Sequence, residues 1–116
     1  MPSKDYRIWL SDTAYIVVDL VMVKGRVVSF VVRLMVTISG REYNVVRYDT
    51  AHGAPHRDTL GLKQGVQKKD WFFDQPLDTV LQTAITDLKR NHEKYCEEYE
   101  KNQDTLPPAP AHQPRD

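Results

Sequence analysis

Length and charge narrow the kinds of protein that this chain can be. It has 116 residues, enough for one domain, and its 16 basic and 16 acidic side chains leave a formal net charge of +0 at pH 7. This balance excludes a global field that would draw the protein onto nucleic acid or anionic lipid, so any such contact must be local. The single cysteine, Cys96, excludes an internal disulfide framework. Neither a signal peptide nor a membrane-length apolar segment is visible, and we expect a cytoplasmic protein without a membrane partner.

Successive strands are predicted in the first half of the chain. Valine, isoleucine and aromatic residues dominate this part, and the glycine-containing stretches "VKGR" and "SGRE" interrupt them. The pattern is typical of strands joined by tight turns, and it predicts strands at 14–23, 26–38 and 41–49. The stretch "YRIWL" near the N-terminus offers one more strand.

The predicted register assigns each side chain to a face of the sheet. If both hairpins use two-residue turns, alternation predicts that both faces are strongly apolar. The same register places Asp19, Phe30 and Asp49 side by side, with Arg47 on their face. A single helix covers only one face, so a second copy of the chain, another partner or curling of the sheet must cover the other. We expect a homodimer, because two-fold pairing is the commonest solution.

A change of period marks the last third of the chain. Apolar residues recur at three- and four-residue steps from residue 76 to about 102, which predicts one amphipathic helix with Asp74 or Gln75 as its cap. We interpret "HRDTLGLKQGVQKKDWFFD", which precedes this helix, as an irregular segment. The proline-rich tail at 104–116 has almost nothing to bury and is expected to be disordered.

These elements predict a fold class and a domain boundary. The class is α+β, an antiparallel β-meander of three to five strands with one long C-terminal helix packed across one sheet face. Residues 1–103 are expected to form a single domain, followed by the tail.

Titratable side chains are concentrated in "RYDTAHGAPHRD", residues 47–58, directly after the third predicted strand. Loops at strand ends are common positions for functional groups. His52 and His56 suit general acid and base catalysis on a phosphodiester, because imidazole titrates near neutral pH. Asp49 and Asp58 would orient the two rings.

The basic residues of the same stretch complete a hypothetical RNA-directed site. Arg47 and Arg57 would hold the phosphate and stabilise its charge, and we place Tyr48 with them as a substrate-binding residue. Such a site uses no cofactor and no metal. It predicts RNA as a partner and activity like that of a metal-independent ribonuclease.

Two other interpretations of the stretch stay open. His52, His56 and Asp58 are a legitimate ligand set for a divalent metal, with water in the open positions. Alternatively, the rings are turn residues that hydrogen-bond the backbone and lock the loop. The protein would then be a non-catalytic binding or assembly module, either a homodimer or with a different partner.

The run "VVRYDTAHGAPHRD" also carries a family resemblance. It resembles a set of small uncharacterised prokaryotic proteins that share an R-Y-D-x-A-H-G-x-x-H-x-D core, and more distantly it is similar to TumE-type toxins of toxin–antitoxin systems. The resemblance covers roughly residues 27–58 and implies a toxin-like module with an antitoxin-like protein as partner. The positions that match the shared core are Arg47, Tyr48, Asp49, Ala51 and His52. His56 stands approximately where the second histidine group begins.

Overall fold

The structure is a computed structural model that describes residues 3–51, 54–61 and 65–105. The elements in chain order are β1 (Ser3–Trp9), β2 (Ala14–Val23), β3 (Arg26–Ile38), β4 (Arg41–Asp49), β5 (His56–Gly61), β6 (Gly65–Trp71) and α1 (Leu77–Thr105). The strands form one antiparallel sheet in the order β1-β2-β3-β4-β5-β6, so neighbours along the chain are neighbours in the sheet. The α+β class, the meander and the single C-terminal helix are therefore confirmed.

The predicted number of strands, three to five, is wrong, because the sheet has six. The segment interpreted as irregular contains β5 and β6, which pair with each other and extend the sheet beyond β4. Strand β5 does alternate, with His56 and Asp58 buried on one face. Its alternation is carried by polar residues, and a search for apolar periodicity does not detect it.

Both predicted tight turns are present. The first residue of each turn, Lys24 or Ser39, has a positive φ of 51° or 53°, and the glycine that follows has a φ of 79° or 81°. Two consecutive residues in the left-handed region are typical of the type I′ turn, whose twist matches that of the paired strands. The strands at 14–23, 26–38 and 41–49 accordingly begin and end where the sequence predicts them.

The predicted register is wrong because each of these hairpins contains a β-bulge. Val28 is the extra residue where β3 pairs with β2, and Val45 is the extra residue where β4 pairs with β3. A bulge shifts the pairing by one residue, which moves the side chains beyond it to the opposite face. Consequently Asp19 and Asp49 flank Val31, whereas the ideal register places Phe30 between them.

The bulges bring most of the large apolar side chains to one face of the sheet, where α1 packs mainly across β3. Each fully buried aliphatic or aromatic side chain there contributes about 1.5–3 kcal/mol. The prediction of two strongly apolar faces is therefore wrong. The core residues of the sheet include Ile16, Val18, Leu20, Phe30, Val32, Leu34 and Val46, and those of α1 include Val80, Leu81, Ala84 and Leu88.

Helix α1 is long relative to the sheet that it covers. Its 29 residues span about 44 Å at 1.5 Å per residue. Its first hydrogen bond runs from the Val80 N–H to the Pro76 carbonyl at 3.1 Å, so Pro76 precedes the first helical residue. The predicted tail lies outside the described residues beyond Thr105. Within the described part of the chain, no helix is long and apolar enough to cross a membrane.

Candidate functional site

The sheet face turned away from α1, here called the outer face, is organised by charge. Cross-strand pairing aligns its side chains in two neighbouring rows, two residues and about 7 Å apart along each strand. The basic row contains Arg7, Val17, Arg33, Arg47, Asp58 and Lys69. The acidic row contains Asp5, Asp19, Val31, Asp49, His56 and Trp71.

Five residues of these rows form a buried ionic cluster across β4, β5 and β6. Arg47 contacts Asp49 Oδ2 through Nε at 3.2 Å and donates from Nη2 to Asp58 Oδ2 at 2.7 Å. The ammonium of Lys69 lies 3.3 Å from Asp58 Oδ1. The fifth member is His56. Its side chain and that of Asp58 are each only 1% exposed, so this part of the sequence folds around paired charges.

The carboxyl group of Asp58 is held in its charged form. Burial alone raises the pKa of Asp58, but Arg47, Lys69 and the adjacent His56 outweigh this effect, and the pKa of Asp58 is below its ordinary value. A carboxylate that keeps its charge in the interior attracts cations of any kind.

The ring of His56 is fixed by contacts at both nitrogens. Nδ1 lies 3.2 Å from the carbonyl oxygen of Ala54. Nε2 lies 3.2 Å from Asp49 Oδ1 and 3.6 Å from Asp58 Oδ2. The indole of Trp71 packs on the ring with centroids 4.8 Å apart, which helps to exclude water from it.

Asp49 connects this cluster to an open cleft. Its Oδ1 also accepts a hydrogen bond of 3.0 Å from the Ala51 N–H, which fixes the carboxylate at the end of β4. The cleft has a volume of about 510 Å³, and Asp5 and Asp19 line it together with Asp49. Asp49 is therefore the cluster member at which a solute in the cleft meets the buried charges.

The other side chains predicted for the site face α1. Tyr48 and Arg57 lie on the opposite face of the sheet from their neighbours in sequence, because successive residues of a strand alternate. Asp87 of α1 accepts hydrogen bonds from the phenols of Tyr48 at 2.5 Å and Tyr95 at 2.6 Å. Arg57 bonds Tyr95 at 2.9 Å and Asp70 at 2.7 Å. This network joins the helix to the sheet.

The predicted site residues are thus divided between two faces. The structure brings together Arg47, Asp49, His56 and Asp58, and it separates Tyr48 and Arg57 from them. His52 lies outside the described residues.

Sequence reasoning missed several members of both networks. Lys69 and Asp70 are identifiable once β5 and β6 are recognised as a hairpin, because they then lie directly opposite Asp58 and Arg57. No local signal identifies Asp87, since only the docking of α1 brings its carboxylate to Tyr48.

Aromatic rings lie at both edges of the outer face. At the β1 edge, Trp9 packs on Tyr15 with centroids 4.6 Å apart, and the guanidinium of Arg7 lies 4.9 Å from the Tyr15 ring. At the β6 edge, Trp71 stacks on Phe73 at 5.4 Å. Trp9 is 60% exposed and Phe73 is 63% exposed, so both edges offer ring faces to solvent.

Comparison with known proteins places the chain in a family without assigning it a reaction. No curated protein and no solved structure matches it. One family model matches residues 1–105, which include all six strands and α1. The chain therefore belongs to the family described as a domain of unknown function, DUF7718.

Proposed function

We propose that this protein binds single-stranded RNA along the outer face of its sheet. The observation that carries the proposal is the basic row, in which four cations cross the sheet between aromatic pairs at its two edges. Sheet surfaces bind single strands by this combination, with cations along the backbone and aromatic rings stacked on the bases. The two opposite edges of the sheet would then hold successive parts of one RNA strand.

The cations of the basic row are accessible although they are paired. Arg33 bonds Asp19 at 3.1 Å, yet 38% of its side chain is exposed, and Arg47 and Lys69 are each about one third exposed. The pair of Arg33 with Asp19 is a surface ion pair, which stabilises little, so a phosphate can replace Asp19 there at low cost. Because the acidic row lies alongside, we expect modest affinity that falls steeply with salt.

Hydrolysis of the bound RNA is a separate prediction. The two-histidine mechanism requires His56 to reach a ribose or a leaving oxygen, and its burial favours a positioning role behind Asp49. Cleavage would therefore depend on His52 or on Asp49, which lines the cleft. The toxin-like role and the antitoxin-like partner rest on the sequence resemblance.

The homodimer is also a proposal, and one feature supports a route to it. Strand β1 is at one edge of the sheet, and all of its residues except Ile8 are exposed. A free edge strand is a template for pairing with another chain. A second copy or an antitoxin-like partner would add a strand there.

Fluorescence anisotropy with a labelled single-stranded RNA tests the RNA proposal. Arg7→Ala and Arg33→Ala should each weaken binding several-fold and reduce the slope of log affinity against log salt by about 0.7, as expected for one lost phosphate contact on a single strand. Arg90→Ala on the exposed side of α1 is the matched control and should leave both quantities unchanged. Equal losses in all three variants, or no binding by the wild type, would contradict the proposal.

Electrophoresis of the same RNA after incubation tests hydrolysis separately. Cleavage that disappears in His52→Ala while RNA affinity persists would support the two-histidine prediction. Intact RNA with normal binding would leave a binding module.

A further inference from the structure

The ring of His56 directs Nε2 toward two carboxylates. The Ala54 carbonyl only accepts hydrogen bonds, so the 3.2 Å contact requires Nδ1 to carry the proton. In the neutral ring, Nε2 then presents a lone pair toward the carboxylate oxygens of Asp49 and Asp58, at 3.2 and 3.6 Å. Nε2 and the two carboxylates therefore converge on one point, where a metal ion can be held.

We propose that Asp49, His56 and Asp58 form a binding site for a divalent transition-metal ion, with Zn²⁺ as its preferred occupant. Imidazole nitrogen and carboxylate oxygen are both ligands of Zn²⁺, and sites with three protein ligands keep a fourth position open. Ligand atoms about 2.1 Å from a common ion lie about 3.0–3.5 Å apart, and the distances from Nε2 fall close to that range. One ligand atom of each residue lies within 4.8 Å of the others.

The surroundings of the three ligands have the form of a second coordination shell. Metal-binding histidines usually donate their other N–H to a carbonyl or carboxylate, as His56 does to Ala54. The carboxylates are fixed as well, because the Ala51 N–H bonds Asp49 and the guanidinium of Arg47 bonds Asp58. The ligands are thus oriented before an ion arrives, which lowers the cost of binding it.

The charge of the cluster allows an ion to enter. Arg47 and Lys69 balance the two carboxylates, but about one third of each side chain is exposed. Lys69, which contacts Asp58 Oδ1, can therefore turn to solvent when a divalent ion adds its charge beside Asp58 Oδ2. Asp49 lines the open cleft, so the ion has an entry path and a position for water there. Arg47 and Lys69 belong both to this site and to the basic row, but metal binding does not depend on the proposed RNA binding.

The site is tested on protein stripped of metal with EDTA. Isothermal calorimetry measures the affinity and stoichiometry for Zn²⁺, and thermal unfolding measures the Tm with and without Zn²⁺. The wild type should bind one ion and show a higher Tm with Zn²⁺. Asp49→Asn keeps the shape of the side chain and removes a ligand, so it should weaken binding at least tenfold. Asp19→Asn, in the same row and cleft but outside the ligand set, should bind as the wild type does.

Co²⁺ supplies an optical measurement that does not depend on stability. Its visible absorption bands should appear with the wild type and Asp19→Asn and should be lost in Asp49→Asn and Asp58→Asn, with circular dichroism confirming that each variant is folded. Absence of one-to-one binding by the wild type would overturn the proposal. Undiminished binding in both Asp49→Asn and Asp58→Asn would also overturn it.

Discussion

At the scale of single residues, Asp58 is the most consequential charge on the outer face. Its carboxylate is almost fully buried and contacts both Arg47 and Lys69. Replacing such a buried charge pair with apolar residues can be neutral, whereas removing only one partner leaves the other charges uncompensated. The cluster therefore constrains which side chains are tolerated here more than it adds net stability.

We predict that Asp58→Asn lowers the free energy of unfolding by about 3–5 kcal/mol, the usual effect of breaking a buried ion pair. Urea denaturation measures this loss. Asp5→Asn, on the exposed strand β1, is the control and should change stability by less than about 0.5 kcal/mol. Similar losses in the two variants would show that burial of the cluster does not determine the effect.

The lowered pKa of Asp58 also predicts a dependence of stability on pH. A carboxylate whose pKa is lower in the folded state than in the unfolded state stabilises the protein above the unfolded value of about 3.9. This contribution is lost as the pH falls through the folded-state pKa. Urea midpoints measured from pH 6 downward should decrease less in Asp58→Asn than in the wild type. Parallel decreases in the two proteins would contradict this assignment.

At the scale of elements, the contact between α1 and the sheet combines an apolar core with a polar network. Asp87 accepts hydrogen bonds from the phenols of Tyr48 and Tyr95. Burial raises the pKa of both phenols, and the adjacent carboxylate of Asp87 raises it further. The apolar contacts are non-directional, whereas these hydrogen bonds require one rotation and one depth of the helix. These hydrogen bonds therefore determine the orientation of α1 on the sheet.

We predict that Tyr48→Phe destabilises the protein by about 1.5–3 kcal/mol, the cost of removing a hydrogen bond to a charged acceptor. Tyr6→Phe on the exposed strand β1 should have almost no effect, and guanidinium denaturation compares the two variants.

The raised folded-state pKa of Tyr48 also predicts a dependence of stability on pH. The contribution of Tyr48 to the free energy of unfolding is complete below about pH 10 and is lost as the pH rises through the folded-state value. Stability above pH 10 should therefore fall less in Tyr48→Phe than in the wild type.

The elements also show which secondary structure can be read from this sequence. The turn glycines and the valine-rich runs predict β2, β3 and β4 to the residue, because backbone geometry and side-chain branching act locally. Strands β5 and β6 are missed because their alternating positions carry histidine, aspartate and lysine. Only the tertiary structure buries His56 and Asp58 of β5. The bulges at Val28 and Val45 are missed for a similar reason, since packing on α1 rather than local preference selects the register.

At the scale of the whole molecule, the sequence-based reason for expecting a homodimer no longer holds, because the second face of the sheet is not strongly apolar. The outer face instead carries two rows of charged residues. The remaining support for a homodimer is the exposed edge of β1.

If pairing through β1 occurs, light scattering should give about twice the chain mass of 13.5 kDa. Tyr6→Pro should return the mass to that of one chain, because proline removes a strand hydrogen bond. A single-chain mass for the wild type would contradict the homodimer.

The sequence by itself determined the α+β class, the central meander, the amphipathic helix and the concentration of titratable groups after β4. Each of these depends on a local property such as turn conformation, periodicity or residue type. Only the tertiary structure decided that Arg47, Asp49, His56 and Asp58 share a buried cluster while Tyr48 and Arg57 support α1. The reason is that strand alternation and the two bulges assign neighbouring residues to opposite faces, and those assignments depend on partners far away in the chain.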